Sequence, residues 1–192
     1  MPTTPKEDLH DYLQQRREAL LWKLEDVSDY DARRPLVSTG TNLLGLIKHV
    51  TGTEAGYLGV VFGRLFPEPL PWMEDEAEDN ADMWASADEP RAALVDLYRR
   101  VWSHSDATIS ALPLDTIGTV PWWDVHREAT LHRVLTHVIA ETHRHAGHSD
   151  IIRELIDGAV GHRPGYSNMP EAQASWWQAH RDHLERVAQQ SR

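Results

Sequence analysis

Four ionisable side chains are spaced along one predicted helix in the last third of the chain. In the segment LHRVLTHVIAETHRHAGHSDIIREL they stand at positions i, i+4, i+8 and i+11, as His137, Glu141, His145 and His148. At about 100° per residue, these positions fall within an arc of roughly 80°. The same arc contains Val134 and Ile152, so the ionisable groups share the face that should enter the core. Because a buried, unpaired charge costs several kcal/mol, these groups need partners or a metal ion.

Two of these residues have the spacing of a chelating pair. Glu141 and His145 are separated by one helical turn, so their Cβ atoms should lie about 5–6 Å apart. A catalytic metal site also needs a third protein ligand and an open position. His49 on the second predicted helix is the best candidate, because its flank meets the edge of the core. From spacing alone, a metal site, hydrogen-bonded buried histidines and a chance surface arrangement all stay open.

The helix that carries His49 has a second unusual feature, a stripe of glycines on one arc beside that histidine. The stripe consists of Gly45, Gly52, Gly56, Gly59 and Gly63. Each glycine inside a helix costs up to about 1 kcal/mol relative to alanine, so the pattern needs compensation. Close approach of another helix, from this chain or a second copy, is one explanation. A groove left open beside a metal for a substrate is the other.

Helical periodicity dominates the chain, and we find no strand alternation or internal repeat in it. The helices are predicted at about 6–27, 42–63, 90–112, 130–157 and 170–189. Thr39 or Thr41 is expected to cap the second helix, and Gly158 to end the fourth. Four long helices, one extended crossover connector and a short C-terminal helix predict an all-α four-helix bundle. We expect residues 1–192 to form a single domain, with the order of helices in the bundle left open.

Composition excludes several classes of protein. The chain of 192 residues has no cysteine, which excludes disulfides, thiolate metal sites and cysteine nucleophiles. Its formal net charge of -11 argues against a nucleic-acid partner, because such binders present a basic face. No apolar run approaches the roughly 20 residues of a membrane span, and the N-terminal residues are too polar for a signal peptide. We therefore expect a cytoplasmic protein without a nucleic-acid or membrane partner.

Two further features leave alternatives open. The segment 68–89 is rich in Asp and Glu and contains no Lys or Arg. A solvated connector is the simpler interpretation of this segment, and a selector for a cationic partner is the other. The pairs Trp122–Trp123 and Trp176–Trp177 are expected to pack in the core, although the first pair would also suit the wall of an apolar pocket.

Three segments carry a resemblance to a known family. They are TNLLGLIKHVTGTEAGYLG at 41–59, VPWWDVHREATLHRVLTHVIAETHRHAGHSDIIRELIDG at 120–158, and NMPEAQASWWQAHRDHLE at 168–185. Together they resemble the DinB-like superfamily of metal-binding four-helix proteins, and within it an actinobacterial branch of largely uncharacterised members. The resemblance implies a divalent ion, commonly zinc or nickel, and a homodimer.

The resemblance also implies the ligand set, with one histidine from the second helix and two residues four apart on the fourth. It places the metal ligands at His49, Glu141 and His145. Many members have histidine at both later positions, whereas the Glu–His pair here is similar to mycothiol-dependent maleylpyruvate isomerase. Two histidines and one carboxylate accommodate zinc, nickel, manganese or ferrous iron.

The function implied by this resemblance is a metal-dependent transferase or isomerase that uses a low-molecular-weight thiol such as mycothiol. Since the chain has no cysteine, any sulfur nucleophile must come from a small molecule. We expect His148 to be the catalytic residue that moves a proton, although its position on the arc would also suit a fourth ligand. We expect His137 to make a hydrogen bond in the core. One alternative is a metal-dependent hydrolase with Glu141 or His148 as the base. The other is a non-catalytic, metal-stabilised stress or binding protein.

Overall fold

Four long helices build the molecule, which is known from a computed structural model that describes residues 3–191. The helices are α1 (Pro5–Trp22), α2 (Asp29–Arg33), α3 (Leu43–Leu58), α4 (Arg91–Ala111), α5 (Leu131–Asp157) and α6 (Ala174–Gln189). In the bundle, α5 packs against α1 and α3, and α3 packs against α4. An ion pair between Arg17 and Asp106 connects α1 and α4, the remaining pair of neighbouring helices. The all-α bundle with a long connector and a C-terminal helix is therefore confirmed.

Side-chain caps set the ends of the two helices that matter most for the site. The Thr130 side chain accepts a hydrogen bond from a backbone N–H in the first turn of α5. Gly158 ends that helix with a left-handed φ of 81°, as predicted. At the start of α3 the capping side chain belongs to Asn42, so the prediction of Thr39 or Thr41 as the cap is wrong. An amide oxygen caps a helix as well as a hydroxyl does, and Asn42 stands closer to the apolar run.

Some short elements were not predicted. The turn expected after α1 contains α2, because the Ser28 side chain accepts a hydrogen bond from the backbone of Asp31 and starts a helix there. Strands β1 (Ile117–Thr119) and β2 (Glu128–Thr130) form an antiparallel pair in which Gly118 lies opposite Ala129. Three residues per strand are too few for an alternating pattern to appear in the sequence.

The core has two hydrophobic clusters, one toward each end of the bundle. The first includes Leu20, Leu44, Ile47, Val50 and Tyr98, and the second includes Leu13, Leu58, Ile109, Val134 and Val138. Val134 and Ile152 are both buried, which confirms that their face of α5 enters the core. Arg17 and Glu54 lie between the two clusters along α1 and α3. The middle of the bundle is thus its polar layer.

The acidic connector between α3 and α4 packs against α3 near the start of that helix. A Cβ added at Gly45 would lie 1.8 Å from the carbonyl oxygen of Met83, so only glycine allows this approach. Lys48 Nζ donates to the carbonyl of Trp84 at 3.1 Å and pairs with Glu89 at 2.9 Å. Most acidic residues of the connector are exposed, as a solvated connector predicts, whereas Glu89 is half-buried against α3. Close approach explains the glycine there, although the approaching segment is the connector rather than a helix.

Helix α6 carries an apolar stripe that stays at the surface. None of its residues is buried, and Trp176 and Leu184 are about half exposed. The expectation that Trp176 packs in the core is therefore wrong. Within residues 3–191, no helix combines the length and the apolar character needed to cross a membrane.

Candidate metal centre

Helices α3 and α5 run antiparallel and bring their polar residues together. The rings of His49 and His145 lie 4.5 Å apart, and those of Tyr57 and His137 lie 4.7 Å apart. A step of eight residues up α3 thus corresponds to a step of eight residues down α5. The stripe predicted on α5 therefore faces the His49 side of α3.

All three residues predicted as metal ligands converge in this interface. His49, Glu141 and His145 each present one ligand atom, and these atoms all lie within 4.8 Å of one another. His145 Nε2 lies 3.6 Å from Glu141 Oε2, which is longer than a hydrogen bond. Two imidazoles and one carboxylate in this arrangement match the donors that first-row divalent metals prefer. The structure brings the three residues together, and their binding of a metal stays a prediction.

His145 is the most informative member of the group because it is buried without a partner. It is 5% exposed, and within the part of the chain that the structure describes neither ring nitrogen makes a hydrogen bond. Burial, followed by the proximity of the His49 imidazole, lowers the pKa of His145 to about 4. The ring is therefore neutral at pH 7 and keeps a lone pair on one nitrogen. A buried polar atom without a partner is costly, and a bound cation would remove that cost.

The third candidate ligand is oriented from the acidic connector. His49 Nδ1 lies 2.6 Å from Asp82 Oδ2, in the short 3-10 turn Ala81–Met83. Since a carboxylate only accepts, the His49 Nδ1–H donates to it, and the lone pair must lie on Nε2. Carboxylate–histidine pairs of this kind fix the ring and raise its basicity as a metal ligand. The acidic connector thus supplies a group that sequence reasoning missed.

The two remaining histidines of the stripe have different surroundings. His148 is exposed, its ring lies 5.4 Å from that of His145, and it lines a mostly apolar cavity of about 310 Å³ with Thr41 and Ile152. This position allows contact with solvent and with a ligand at His145, and the role of His148 as catalytic residue stays a prediction. His137 packs against the rings of Tyr57 and Trp123. Among residues 3–191 it has no hydrogen-bond partner, contrary to expectation.

Aromatic side chains line the other side of this interface. Trp123 Nε1 donates to the Tyr57 hydroxyl at 2.9 Å, and the ring of Trp122 lies 5.1 Å from that of Tyr57. Trp122 is 48% exposed, so its predicted place in the core is wrong. Instead it lines a cavity, which was the alternative for this pair.

Sequence reasoning missed two residues of this region for different reasons. Asp82 is one of many carboxylates in the connector, and nothing in its spacing from His49 distinguishes it from its neighbours. Tyr57, in contrast, stands two turns after His49 on the same helix. That i, i+8 spacing was a signal that the aromatic ring shares the polar face.

Comparisons with known proteins agree with this architecture. The family model described as mycothiol-S-transferase matches residues 8–158, which span α1 to α5 and leave α6 outside. Among solved structures, a conserved protein from Enterococcus faecalis superposes with a TM-score of 0.64 at 15% sequence identity. The match covers 82% of this chain and 100% of that chain, and at this identity it shows the fold alone. No curated protein matches the chain.

Proposed function

The chain belongs to the mycothiol-S-transferase family, a DinB-like family, and from that premise we propose that it is a metal-dependent thiol transferase. It holds one divalent ion, zinc in the first instance, through His49, Glu141 and His145. Its sulfur donor is a low-molecular-weight thiol such as mycothiol, and its second substrate is a small electrophile. An isomerase that uses the same thiol as a cofactor is the closely related alternative.

One observation carries this proposal. His145 is buried, and both of its ring nitrogens lack hydrogen-bond partners within the described residues. One of these nitrogens lies within 4.8 Å of a carboxylate oxygen of Glu141 and of a ring nitrogen of His49. A purely structural histidine in that position would leave desolvated polar atoms uncompensated. The same three ligands also carry only one negative charge, which leaves a bound divalent ion with a net positive charge.

The roles of the individual residues follow from their surroundings. His145 is neutral and has no competing partner, so its lone pair is available to the ion. Asp82 holds His49 in the tautomer that directs Nε2 away from the connector. Glu141 is 29% exposed in its side chain and is placed where a substrate would approach from solvent.

The chemistry divides between the ion and the chain. A divalent ion, when bound, lowers the pKa of a thiol that coordinates it and so favours the thiolate at neutral pH. His148 takes the thiol proton at an imidazole nitrogen and passes it to water, because its ring is both next to His145 and exposed. The apolar side chains of the flanking cavities exclude water from the sulfur and orient the second substrate.

Elemental analysis of the untagged protein tests the first half of the proposal. We expect stoichiometric metal in the purified wild-type chain and its loss in His49→Ala, Glu141→Ala and His145→Ala. The matched control is His143→Ala on the same helix, because His143 Nδ1 already bonds to the carbonyl oxygen of Ile139 at 2.8 Å. Metal retained in all four variants would disprove the ligand assignment.

Activity assays test the second half. The metal-loaded protein should consume mycothiol with a reactive aryl halide, and bacillithiol and glutathione serve as comparison thiols. His148→Ala should retain metal and lose rate. A metal-loaded protein that consumes none of the three thiols would refute the transferase, and hydrolysis of model esters would then be assayed.

A further inference from the structure

A second cavity lies along α3 beyond the metal centre. It encloses about 590 Å³, and its walls include Phe66, Leu70, Met73 and Trp122. Gly52 and Gly56 form its floor. This volume is typical of a pocket for a small molecule.

The glycines of the floor bring two large side chains directly onto the helix. A Cβ at Gly52 would lie 2.4 Å from Met73 Sδ, and one at Gly56 would lie 3.3 Å from the ring of Trp122. The walls therefore depend on the absence of side chains at these two positions. Both Met73 and Trp122 stay about half exposed, so they present apolar surface to whatever enters.

The cavity begins next to the metal centre. Gly52 is three residues from His49, a rise of about 5 Å along α3. Gly56 lies about 20° from His49 around the helix axis. The 3-10 turn Pro71–Met73, which supplies one wall, also contacts the turn Ala81–Met83 that carries Asp82. A molecule bound on this floor would extend toward the ligands of the ion.

The ionisable side chains that line the cavity have one sign of charge. Its two ionisable lining residues are Glu68 and Glu74, and no Lys or Arg lines it among the described residues. Arg100 pairs with both oxygens of Glu68, at 2.6 and 2.8 Å, and lowers its pKa. Glu74 has no hydrogen-bond or ion-pair partner for its side chain within residues 3–191. An entering carboxylate would meet an uncompensated negative charge.

We propose that this cavity binds the second substrate of the transfer reaction and that this substrate is an uncharged, apolar electrophile of about the size of a substituted aromatic ring. The inference rests on the proposed function, because it assigns the electrophile to the site. Trp122 and Met73 offer an aromatic face and a polarisable sulfur to such a ring. Glu74 and the acidic residues that follow it discriminate against organic acids.

The transfer is balanced with the two substrates alone. The thiol loses its proton to His148, and the sulfur uses its electron pair to form a bond to the electrophilic carbon. The bond from that carbon to the leaving group breaks, and the leaving group departs with the bonding pair. The products are a thioether and a free anion, and no oxidant or reductant is needed.

Binding without thiol tests the cavity separately from turnover. Calorimetric titration of the metal-free protein would compare dinitrobenzene with dinitrobenzoate, which differs by one carboxylate that would otherwise bind to the ion. We expect dinitrobenzene to bind about fivefold more tightly at low ionic strength, as repulsion by one solvent-exposed charge about 4 Å from the ligand would require. Equal affinity for the two compounds would overturn the proposal.

Variants locate the binding. Gly56→Leu should abolish dinitrobenzene binding by filling the floor, whereas Gly147→Leu should not, because Gly147 has nothing within 4 Å of its added Cβ. Glu74→Lys should reverse the preference, so that dinitrobenzoate binds more tightly than dinitrobenzene, because attraction replaces repulsion. Its control, Glu76→Lys, changes the same charge at an exposed residue outside the cavity.

The outcomes separate this proposal from the transferase itself. If Glu74→Lys behaves like Glu76→Lys, or if a folded Gly56→Leu still binds dinitrobenzene, the electrophile does not use this cavity, even where transfer activity is present. If binding follows the expected pattern and no thiol is consumed with chlorodinitrobenzene, the cavity stands and the transferase fails. Because Glu74 is exposed, its variant tests the cavity even if Gly56→Leu does not fold.

Discussion

Helix α3 carries two clusters of ionisable residues about 140° apart around its axis, and they are built in opposite ways. The closed cluster joins Arg17, Glu54 and Asp106 in the middle of the bundle. The open cluster consists of His49, Glu141 and His145. Both clusters contain a side chain that is at least 95% buried. They differ in whether that side chain has partners.

Every guanidinium nitrogen of Arg17 donates to an acceptor. Nε and Nη2 bind the carboxylate of Glu54, while Nη1 binds Asp106 Oδ1 at 2.7 Å and Gln14 Oε1 at 3.1 Å. His145 has no such partner at either nitrogen in the described structure. A buried charged group thus stabilises the bundle where each of its donors has an acceptor. Where they do not match, the mismatch marks a place for a ligand.

The largest expected effect is in the closed cluster. Arg17→Met removes the donors from a buried carboxylate, so the free energy of unfolding should fall by about 3–5 kcal/mol. Urea denaturation followed by circular dichroism measures this change. The double variant Arg17→Met with Glu54→Leu should recover most of the loss, because it removes the stranded charge as well. If the single variant matches wild-type stability, the closed cluster contributes nothing to cohesion.

The open cluster should respond differently to a comparable truncation. His145→Ala should destabilise the metal-free protein much less than Arg17→Met does, because no hydrogen bond is lost and removal of two unpartnered nitrogens offsets part of the cost of the cavity. It should abolish the stabilisation by zinc, which at a free concentration 100 times the dissociation constant is about 2.7 kcal/mol. Thermal unfolding with and without zinc measures both quantities. A large loss in the metal-free variant would instead place His145 among the residues that hold the fold.

The connector's contribution to the open cluster is the next largest effect. Asp82→Asn removes the acceptor that orients His49, so metal affinity should fall by about 10–100-fold. Competition with a chromophoric chelator measures the affinity. Asp79→Asn is the matched control, because this exposed residue lies in the same connector and makes no side-chain contact with His49. Equal losses in the two variants would point to overall charge rather than to the hydrogen bond.

The sequence predicts the residues of the open cluster better than it predicts the connector that orients His49. His137, Glu141, His145 and His148 repeat with the helical period inside one apolar stripe, so their common face is readable from spacing. The connector is irregular, and its contact with His49 depends on the path of a loop that no period describes. Trp122 was misplaced because a large apolar ring suits a cavity wall and a core equally well.

The burial of one residue of the closed cluster could also have been predicted from the sequence. Arg17 stands four residues after Leu13 and three before Leu20, on the apolar face of α1. Its partners come from α3 and α4, however, and the order of helices in the bundle was open at the level of sequence. The ion pairs between helices could therefore be identified only from the three-dimensional arrangement, which the packing of side chains between the helices determines.

The smallest effect tests how the closed cluster ends at the surface. Asp106 accepts from Arg17 and lies 2.8 Å from His10 Nε2, but its side chain is 35% exposed. Solvent screens its charge, and Arg17 keeps its two bonds to Glu54, so Asp106→Asn should cost only about 1 kcal/mol. As a control, Asp96→Asn on the same helix, where the side chain is 63% exposed, should leave the free energy of unfolding in urea unchanged. A loss at Asp106 as large as that at Arg17 would mean that the outer carboxylate, rather than Glu54, neutralises the buried guanidinium, and the closed cluster would extend to the surface.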